Sequence, residues 1–165
     1  MEDNRLFHGF GPHFDPDSKI LILGSFPSKM SRKCSFYYMH PRNRFWQVLS
    51  IVYGDDFTNP DPKSKRILLS KHKVALYDVV ESCFAVNSLD SSLGAITPTD
   101  IRSLIEKTSI KKIFLNGKKA SSLFLQYFPD LQSLATVLPS TSATNAQYDL
   151  RRLHEQWKVI KDPYE

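Results

Sequence analysis

At 165 residues, with 41% hydrophobic and 24% charged side chains, the chain has the length and composition of one globular domain with its own core, which excludes a wholly disordered polymer. No apolar run is long enough to cross a bilayer, and the opening MEDNRLFHGF lacks the basic and apolar regions of a secretory signal, so a cytoplasmic or nuclear protein is expected rather than a secreted one. The net charge is +5, and the two cysteines, Cys34 and Cys83, form no C-x-x-C pair and no zinc spacing, which excludes a four-thiolate cluster and leaves no metal or other cofactor expected.

In chain order, residues 19–23 (KILIL) read as a strand. Residues 44–53 read as a helix with Phe45, Trp46, Leu49 and Val52 or Tyr53 on its apolar side. The Pro- and Asp-rich tract 55–62 reads as a loop, and Asp61–Pro62 supplies a cap and a first-turn proline for a helix over 63–72. A second strand spans 74–77 and continues to Val80. A helix over 99–107, a strand over 112–115, a helix over 118–127 stopped before Pro129, and a strand over 135–138 follow. Thr144-x-x-Gln147 has the pattern of a capping box, opening a last helix through Ala146, Leu150, Leu153 and Trp157. The strands are apolar without alternation, as strands buried on both faces of a parallel sheet are. The pattern predicts an α/β fold: one domain over 1–165, three layers α/β/α, with a four-stranded parallel sheet. Ligands in such sheets bind beyond the carboxyl ends of the strands, at segments 24–31, 78–90, 116–119 and 139–145.

Charge is placed unevenly. Residues 24–54 hold no Asp or Glu but carry Lys29, Arg32, Lys33, Arg42 and Arg44, which account for the whole excess. Residues 107–148 carry five lysines against Asp130 alone. Such patches attract a polyanion, although a merely solvated basic face has the same sequence.

Three segments carry chemistry. Gly24-Ser25-Phe26-Pro27-Ser28 follows the first strand and has neither Walker nor dinucleotide spacing; alone it is a strand-to-loop turn. The run from Phe36 to Trp46 alternates aromatics with His40, Arg42, Asn43 and Arg44. Rings can stack on bases, guanidinium groups can hold phosphates and an amide can orient water. Equally, Asn43 can cap a helix, and the helical spacing of Phe45 and Trp46 favours the core for both. Leu138-Pro139-Ser140-Thr141-Ser142-Ala143-Thr144-Asn145 offers hydroxyls that can hold phosphates or simply cap a loop.

Taken together, GSFPS, YYMHPRNRFW and LPSTSATNA resemble the deoxyinosine (hypoxanthine)-DNA glycosylase branch of the uracil-DNA glycosylase superfamily, over about residues 5 to 160. HPRNRFW is the most specific segment, and Tyr77-Asp78-Val79-Val80 with Ser88-Leu89-Asp90-Ser91 fits the same pattern. The resemblance implies a monofunctional, monomeric enzyme that binds DNA, flips out a deaminated base and hydrolyses its N-glycosidic bond, leaving an abasic site. Hypoxanthine is the base first implied, with uracil or xanthine next. Phe26 stands where most of the superfamily has an Asp or Asn to hold the attacking water, so the resemblance transfers that task to Asn43, through its amide oxygen. Leu138 stands where the second superfamily motif has a histidine. Pro139, Ser140, Thr141 and Ser142 are implied to press on the DNA backbone, with Ser28, His40, Arg42 and Arg44 as further DNA contacts. Gly24, Ser25, Phe26, Tyr37, Tyr38 and Asp78 are implied around the base. There Asp78 accepts from hypoxanthine N1–H or else caps the segment after it, backbone N–H groups near Ser25 and Phe26 donate to O6, and Tyr37 or Tyr38 stacks on the ring. A non-catalytic single-strand nucleic-acid binding module would use the same basic and aromatic residues. A small-molecule α/β hydrolase lacks support, because the chain has no phosphate loop and no carboxylate cluster for magnesium.

Overall fold

The chain forms two sheets in the computed structural model, which describes residues 5–85 and 93–163. In chain order the elements are β1 (Arg5–Phe7), β2 (Ile20–Gly24), α1 (Lys29–Cys34), α2 (Phe45–Tyr53), α3 (Pro62–Lys71), β3 (Val74–Asp78), β4 (Val80–Ala85), β5 (Leu93–Pro98), α4 (Ile101–Glu106), β6 (Lys112–Asn116), α5 (Lys118–Tyr127), β7 (Ala135–Leu138) and α6 (Leu150–Trp157). Short 3-10 turns occupy Pro129–Leu134 and Lys158–Ile160. The Ser88–Ser91 segment singled out above lies outside the described residues.

The larger sheet is parallel, in the order β3-β2-β6-β7. Ile20, Leu21, Ile22 and Leu23 are all at most 3% exposed, although successive side chains of a strand point to opposite faces. Both faces of β2 are therefore covered, as the unbroken apolar run requires. Parallel neighbours are joined by right-handed crossovers. Since β3 lies on one side of β2 while β6 and β7 lie on the other, helices of successive crossovers fall on opposite faces of the sheet. The loops leaving β2 and β6 diverge for the same reason, and a crevice opens at their carboxyl ends.

Several expectations are corrected. The strand over 74–77 does not continue to Val80 in the same sheet. Val79 and Val80 donate backbone bonds to Gly24 and Ser25, and the chain then turns away to start β4. The second sheet, antiparallel and ordered β1-β4-β5, has no counterpart in the sequence reading. β7 is an edge strand with Thr136 and Val137 exposed, not a strand buried on both faces. The last helix begins at Leu150, capped by Asp149 Oδ1 on Arg152 N–H (2.8 Å), not at Thr144. Thr144 instead shares a local turn with Ser142. The helix over 99–107 is shorter, Ile101–Glu106 with Asp100 as its cap, because the Thr99 hydroxyl donates to the Asp78 carbonyl (2.7 Å).

α6 closes the core behind α2. Trp157 is fully buried, meets Phe45 edge-on at 5.9 Å between ring centroids, and donates its indole N–H to the Pro139 carbonyl (2.9 Å). Trp157→Ala is expected to cost about 3–5 kcal/mol, seen as a lower urea midpoint at unchanged slope, with Trp157→Phe between it and the unaltered chain. A midpoint for the Ala variant equal to that of the unaltered chain would show that α6 is not part of the core.

Candidate active site

The crevice beyond β2, β3 and β6 is a cavity of about 500 Å³. Gly24, Ser25, Phe26, Ser28, Tyr37, Tyr38, His40, Asn43, Asp78, Ser140, Thr141 and Ser142 all line it, whereas Arg42, Arg44 and Pro139 do not. Residues separated by more than a hundred positions meet here because parallel strands deliver every following loop to the same end of the sheet.

Its floor is Gly24. A Cβ built on Gly24 would stand 2.5 Å from Asp78 Oδ1 and 3.1 Å from Tyr38 Oη, so no side chain fits and the bare backbone forms the surface. Asp78 is 3% exposed and pairs with Gly24 in the β2–β3 register. Its Oδ2 accepts from His8 Nε2 (2.8 Å), leaving Oδ1 toward Gly24. The side chain thus bonds to His8 and does not cap the segment that follows. His8 itself is buried against Phe10 and Tyr77, and its Nδ1 has no partner. Nothing in the sequence marks His8, which lies seventy positions from Asp78 and arrives only because β1 pairs with β4.

The aromatic turn forms one wall. Phe45 and Trp46 are core residues, 0% and 6% exposed. The Trp46 indole N–H also bridges the carbonyls of Tyr37 (3.2 Å) and Tyr38 (3.0 Å), pinning the turn. Tyr38 is held at φ +53°, a conformation costly for a residue with a side chain. Its ring stacks on Phe45 at 3.9 Å, and its buried hydroxyl has the Asn116 side-chain amide beside it but no acceptor for its own proton among the described residues. Tyr37 is 2% exposed, enclosed by Phe10 and Phe36, and donates to the Gly11 carbonyl (2.5 Å). The expectation that Tyr37 or Tyr38 stacks on a base is therefore corrected: Tyr37 has no free face and Tyr38 spends one on Phe45. Burial first, and the nearby Asp78 carboxylate second, push both phenols well above their ordinary range, so both hydroxyls keep their protons. Phe26 is half-buried and lines the cavity, with the Arg32 guanidinium 5.5 Å over one face of its ring.

Asn43 stands where the turn enters α2. Its Oδ1 accepts from the Phe45 N–H (2.9 Å) and from the Thr141 hydroxyl (2.8 Å), so the helix-start and site roles coexist in one side chain. The Phe45 bond fixes which end of the amide is oxygen. That oxygen, expected to hold a water, already accepts two hydrogen bonds, whereas no hydrogen bond of Nδ2 is formed with the groups described around it.

Thr141 is 1% exposed. Its hydroxyl accepts from Asn116 Nδ2 (3.1 Å), and its N–H donates to Asn116 Oδ1 (3.0 Å). It is thus a buried link between β6, the last loop and Asn43, not a surface contact as expected. Arg44 is corrected likewise. Its guanidinium donates to the carbonyls of Ser142 (2.7 Å), Asn145 (3.2 Å), Thr141 (3.4 Å) and Tyr148, so it folds the loop and offers no free fork to a phosphate. Pro139 is occupied behind the site by Trp157. Pro27, Ser31, Asn116, Gly117, Lys118, Lys119 and Thr144 also line the cavity; the sequence placed them in ligand-facing segments but gave them no role in the site. Their signal was positional, since 116–119 follows a strand. Gly117, at φ +98°, is required because a Cβ there would meet the Ser140 Cβ at 3.0 Å. Exposed Lys118 and Lys119 sit on one rim, and Asp78 is the one acid among the lining residues described.

Known proteins resemble this chain in sequence and in fold. The family model of the uracil DNA glycosylase superfamily matches residues 12–162. The chain is 30% identical over 156 residues to a hypoxanthine DNA glycosylase of Methanosarcina acetivorans, covering 92% of this chain and 96% of that protein. It is 29% identical over 141 residues to a hypoxanthine DNA glycosylase of Methanosarcina barkeri, covering 83% and 87%. The solution NMR structure of a candidate uracil DNA glycosylase from Methanosarcina acetivorans superposes with a TM-score of 0.78 at 30% identity, covering 93% of this chain and 95% of the other.

Replacing Arg44 tests the loop assignment. Arg44→Ala leaves several partly buried carbonyls without donors and is expected to cost about 1–3 kcal/mol in a denaturation experiment. Arg44→Lys should recover little of this, because one ammonium cannot serve carbonyls spread around a planar fork. Full recovery by Lys would mean that charge, not geometry, holds the loop.

Proposed function

The chain belongs to the uracil DNA glycosylase superfamily, and from that premise we propose that it is a DNA glycosylase that hydrolyses the N-glycosidic bond of a deaminated base, hypoxanthine first, and leaves an abasic site. The observation that carries this reading is the meeting of the Asn43 amide, the Asp78 carboxylate and the Ser140–Ser142 hydroxyl loop around one cavity of about 500 Å³. Such a cavity has room for a nucleotide but not for a duplex, so the base must leave the stack to enter it. The two relatives named for hypoxanthine support the choice of base.

In the proposed reaction a water oxygen bonds to the sugar C1′, the electrons of the C1′–N bond leave with the base, and the proton lost by the water passes to solvent. Positive charge grows on the sugar and negative charge on the base, so a fixed water and donors toward the base matter more than a strong base does. Asn43 holds the water by its Nδ2–H, with the amide plane locked by Phe45 and Thr141. Phe26 supplies the stacking ring. Arg42, exposed at the turn, together with Lys118 and the serine loop, holds the flanking phosphates.

Two measurements test the reading. Oligonucleotides carrying inosine, xanthine or uracil, treated with alkali after incubation, should be cut at inosine most readily. Asn43→Ala should slow single-turnover release by on the order of a hundred- to a thousandfold. Asn43→Asp keeps the oxygen that accepts from Phe45, and so should melt near the unaltered protein while losing release just as severely. Rapid release by a folded Asp variant would remove Nδ2 from the mechanism. Salt-dependent binding with no release from any of these substrates would leave only a nucleic-acid binding module.

Arg42→Ala should lower the slope of log affinity against log salt by about one for DNA binding. An unchanged slope would make the Arg42 charge a bystander.

A further inference from the structure

Two costly features coincide in Tyr38. Its backbone is held in the left-handed region, at φ +53°, and its buried hydroxyl, with the Asn116 amide beside its oxygen, has no acceptor for its own proton among the described residues. A buried hydroxyl proton without an acceptor and a strained non-glycine residue each destabilise a fold, and both persist only where surrounding structure enforces them. Here the Trp46 indole clamps the Tyr38 carbonyl, and Phe45 stacks on the ring. The hydroxyl so held points to the cavity floor. It lies 3.1 Å from the position a Gly24 methyl would take, and Asp78 Oδ1 lies 2.5 Å from the same position. Both groups therefore converge on the bare Gly24 backbone, one donor beside one acceptor.

We propose that Tyr38 is a specificity-determining residue: its O–H donates to the exocyclic oxygen of a lactam while Asp78 Oδ1 accepts from the adjoining ring N–H. The proposal rests on the glycosylase reading above and deepens it by assigning the base-reading groups. It replaces the backbone donors near Ser25 and Phe26 that the sequence suggested for O6. The –NH–C(=O)– edge is common to hypoxanthine, xanthine and uracil, and also to guanine and thymine, so these two contacts separate a deaminated base from its parent adenine or cytosine. In adenine and cytosine the exocyclic group is a donor and the ring nitrogen an acceptor, so both contacts meet their own kind. His8 is the positioning residue behind this pair, since it takes Asp78 Oδ2 and leaves Oδ1 for the base. The Tyr38 hydroxyl stays protonated because burial and the Asp78 charge both oppose its ionisation. As the glycosidic bond breaks, negative charge spreads onto the exocyclic oxygen, and the same hydroxyl then holds it more strongly than in the ground state.

Tyr38→Phe removes one oxygen atom and keeps the ring on Phe45. Because the lost proton has no acceptor among the described residues, the melting temperature should change little. The free bases hypoxanthine and purine, which differ by the exocyclic oxygen and the ring proton beside it, are titrated into both proteins. The unaltered chain should bind hypoxanthine at least tenfold tighter than purine, and Tyr38→Phe should weaken hypoxanthine alone. Single-turnover release from inosine DNA should fall about a hundredfold or more, while release or binding of DNA carrying the purine nucleoside without O6 stays unchanged. If the unaltered protein cuts inosine DNA and Tyr38→Phe cuts it equally fast, this assignment fails while the glycosylase reading stands. If the unaltered protein cuts nothing, that reading fails, and the free-base titration decides the assignment alone. Equal weakening toward hypoxanthine and purine would make Tyr38 a purely structural residue and overturn the proposal.

Discussion

One buried hydroxyl sets the geometry of the site. Thr141 Oγ1 takes a proton from Asn116 at the end of β6 and gives one to Asn43 at the entry of α2, so three segments that are remote in sequence are registered on a single oxygen. A hydroxyl is suited to this because one atom donates and accepts at once, whereas an ionised carboxylate there would offer the Asn43 oxygen no donor. Arg44 completes the arrangement from beneath by gathering the carbonyls of the same loop. The loop after β7 has only edge-strand support on one side, and these two residues replace the sheet contacts it lacks.

The cavity combines this rigid side with a strained one. Opposite the Thr141 network, the Tyr37–Tyr38 turn is held by aromatic packing and a bifurcated indole bond, with no ladder of backbone hydrogen bonds. Aromatic side chains lose little rotamer freedom on burial and cover large areas, so a cluster of Phe36, Tyr38, Phe45 and Trp46 can enforce a backbone conformation that local propensity opposes. Under the roles proposed above, recognition and water holding would rest on different supports. The floor belongs to β2 and β3, and the Asn43 amide belongs to the first turn of α2.

Much of the parallel sheet was legible in the sequence, because buried parallel strands announce themselves as unbroken apolar runs such as ILIL. The Lys118–Tyr127 helix matches its expected bounds, since a strand, a glycine and a later proline delimit it. The antiparallel sheet was not legible. β1 has three residues, and its partner lies almost eighty positions away, so neither periodicity nor turn chemistry signals the pairing. α1, with six residues, is too short to show a helical repeat. Within the site, residue type pointed to Asn43 and Asp78, and the structure brings both to the cavity. Thr141 and Arg44 were misread for a common reason. Hydroxyls and guanidinium groups serve phosphates and protein carbonyls equally well, and only burial separates the two uses. His8 shows the opposite failure, a side chain with no motif that gains its place through a tertiary pairing alone.

Gly24 gives the site a particular evolvability. Its missing side chain sets how deep the cavity reaches, and it does so without sharing a hydrogen bond with Asn43 or the Thr141 loop. A lineage that gained one methyl at this position would meet Asp78 and Tyr38 head-on, and the base-reading floor would have to reorganise before anything else in the enzyme did. A lineage that kept the glycine could exchange the groups around it one at a time and so trade one base for another. Under the proposed roles, divergence of substrate would be channelled through the floor of the pocket, while the groups proposed to hold the water could remain as they are.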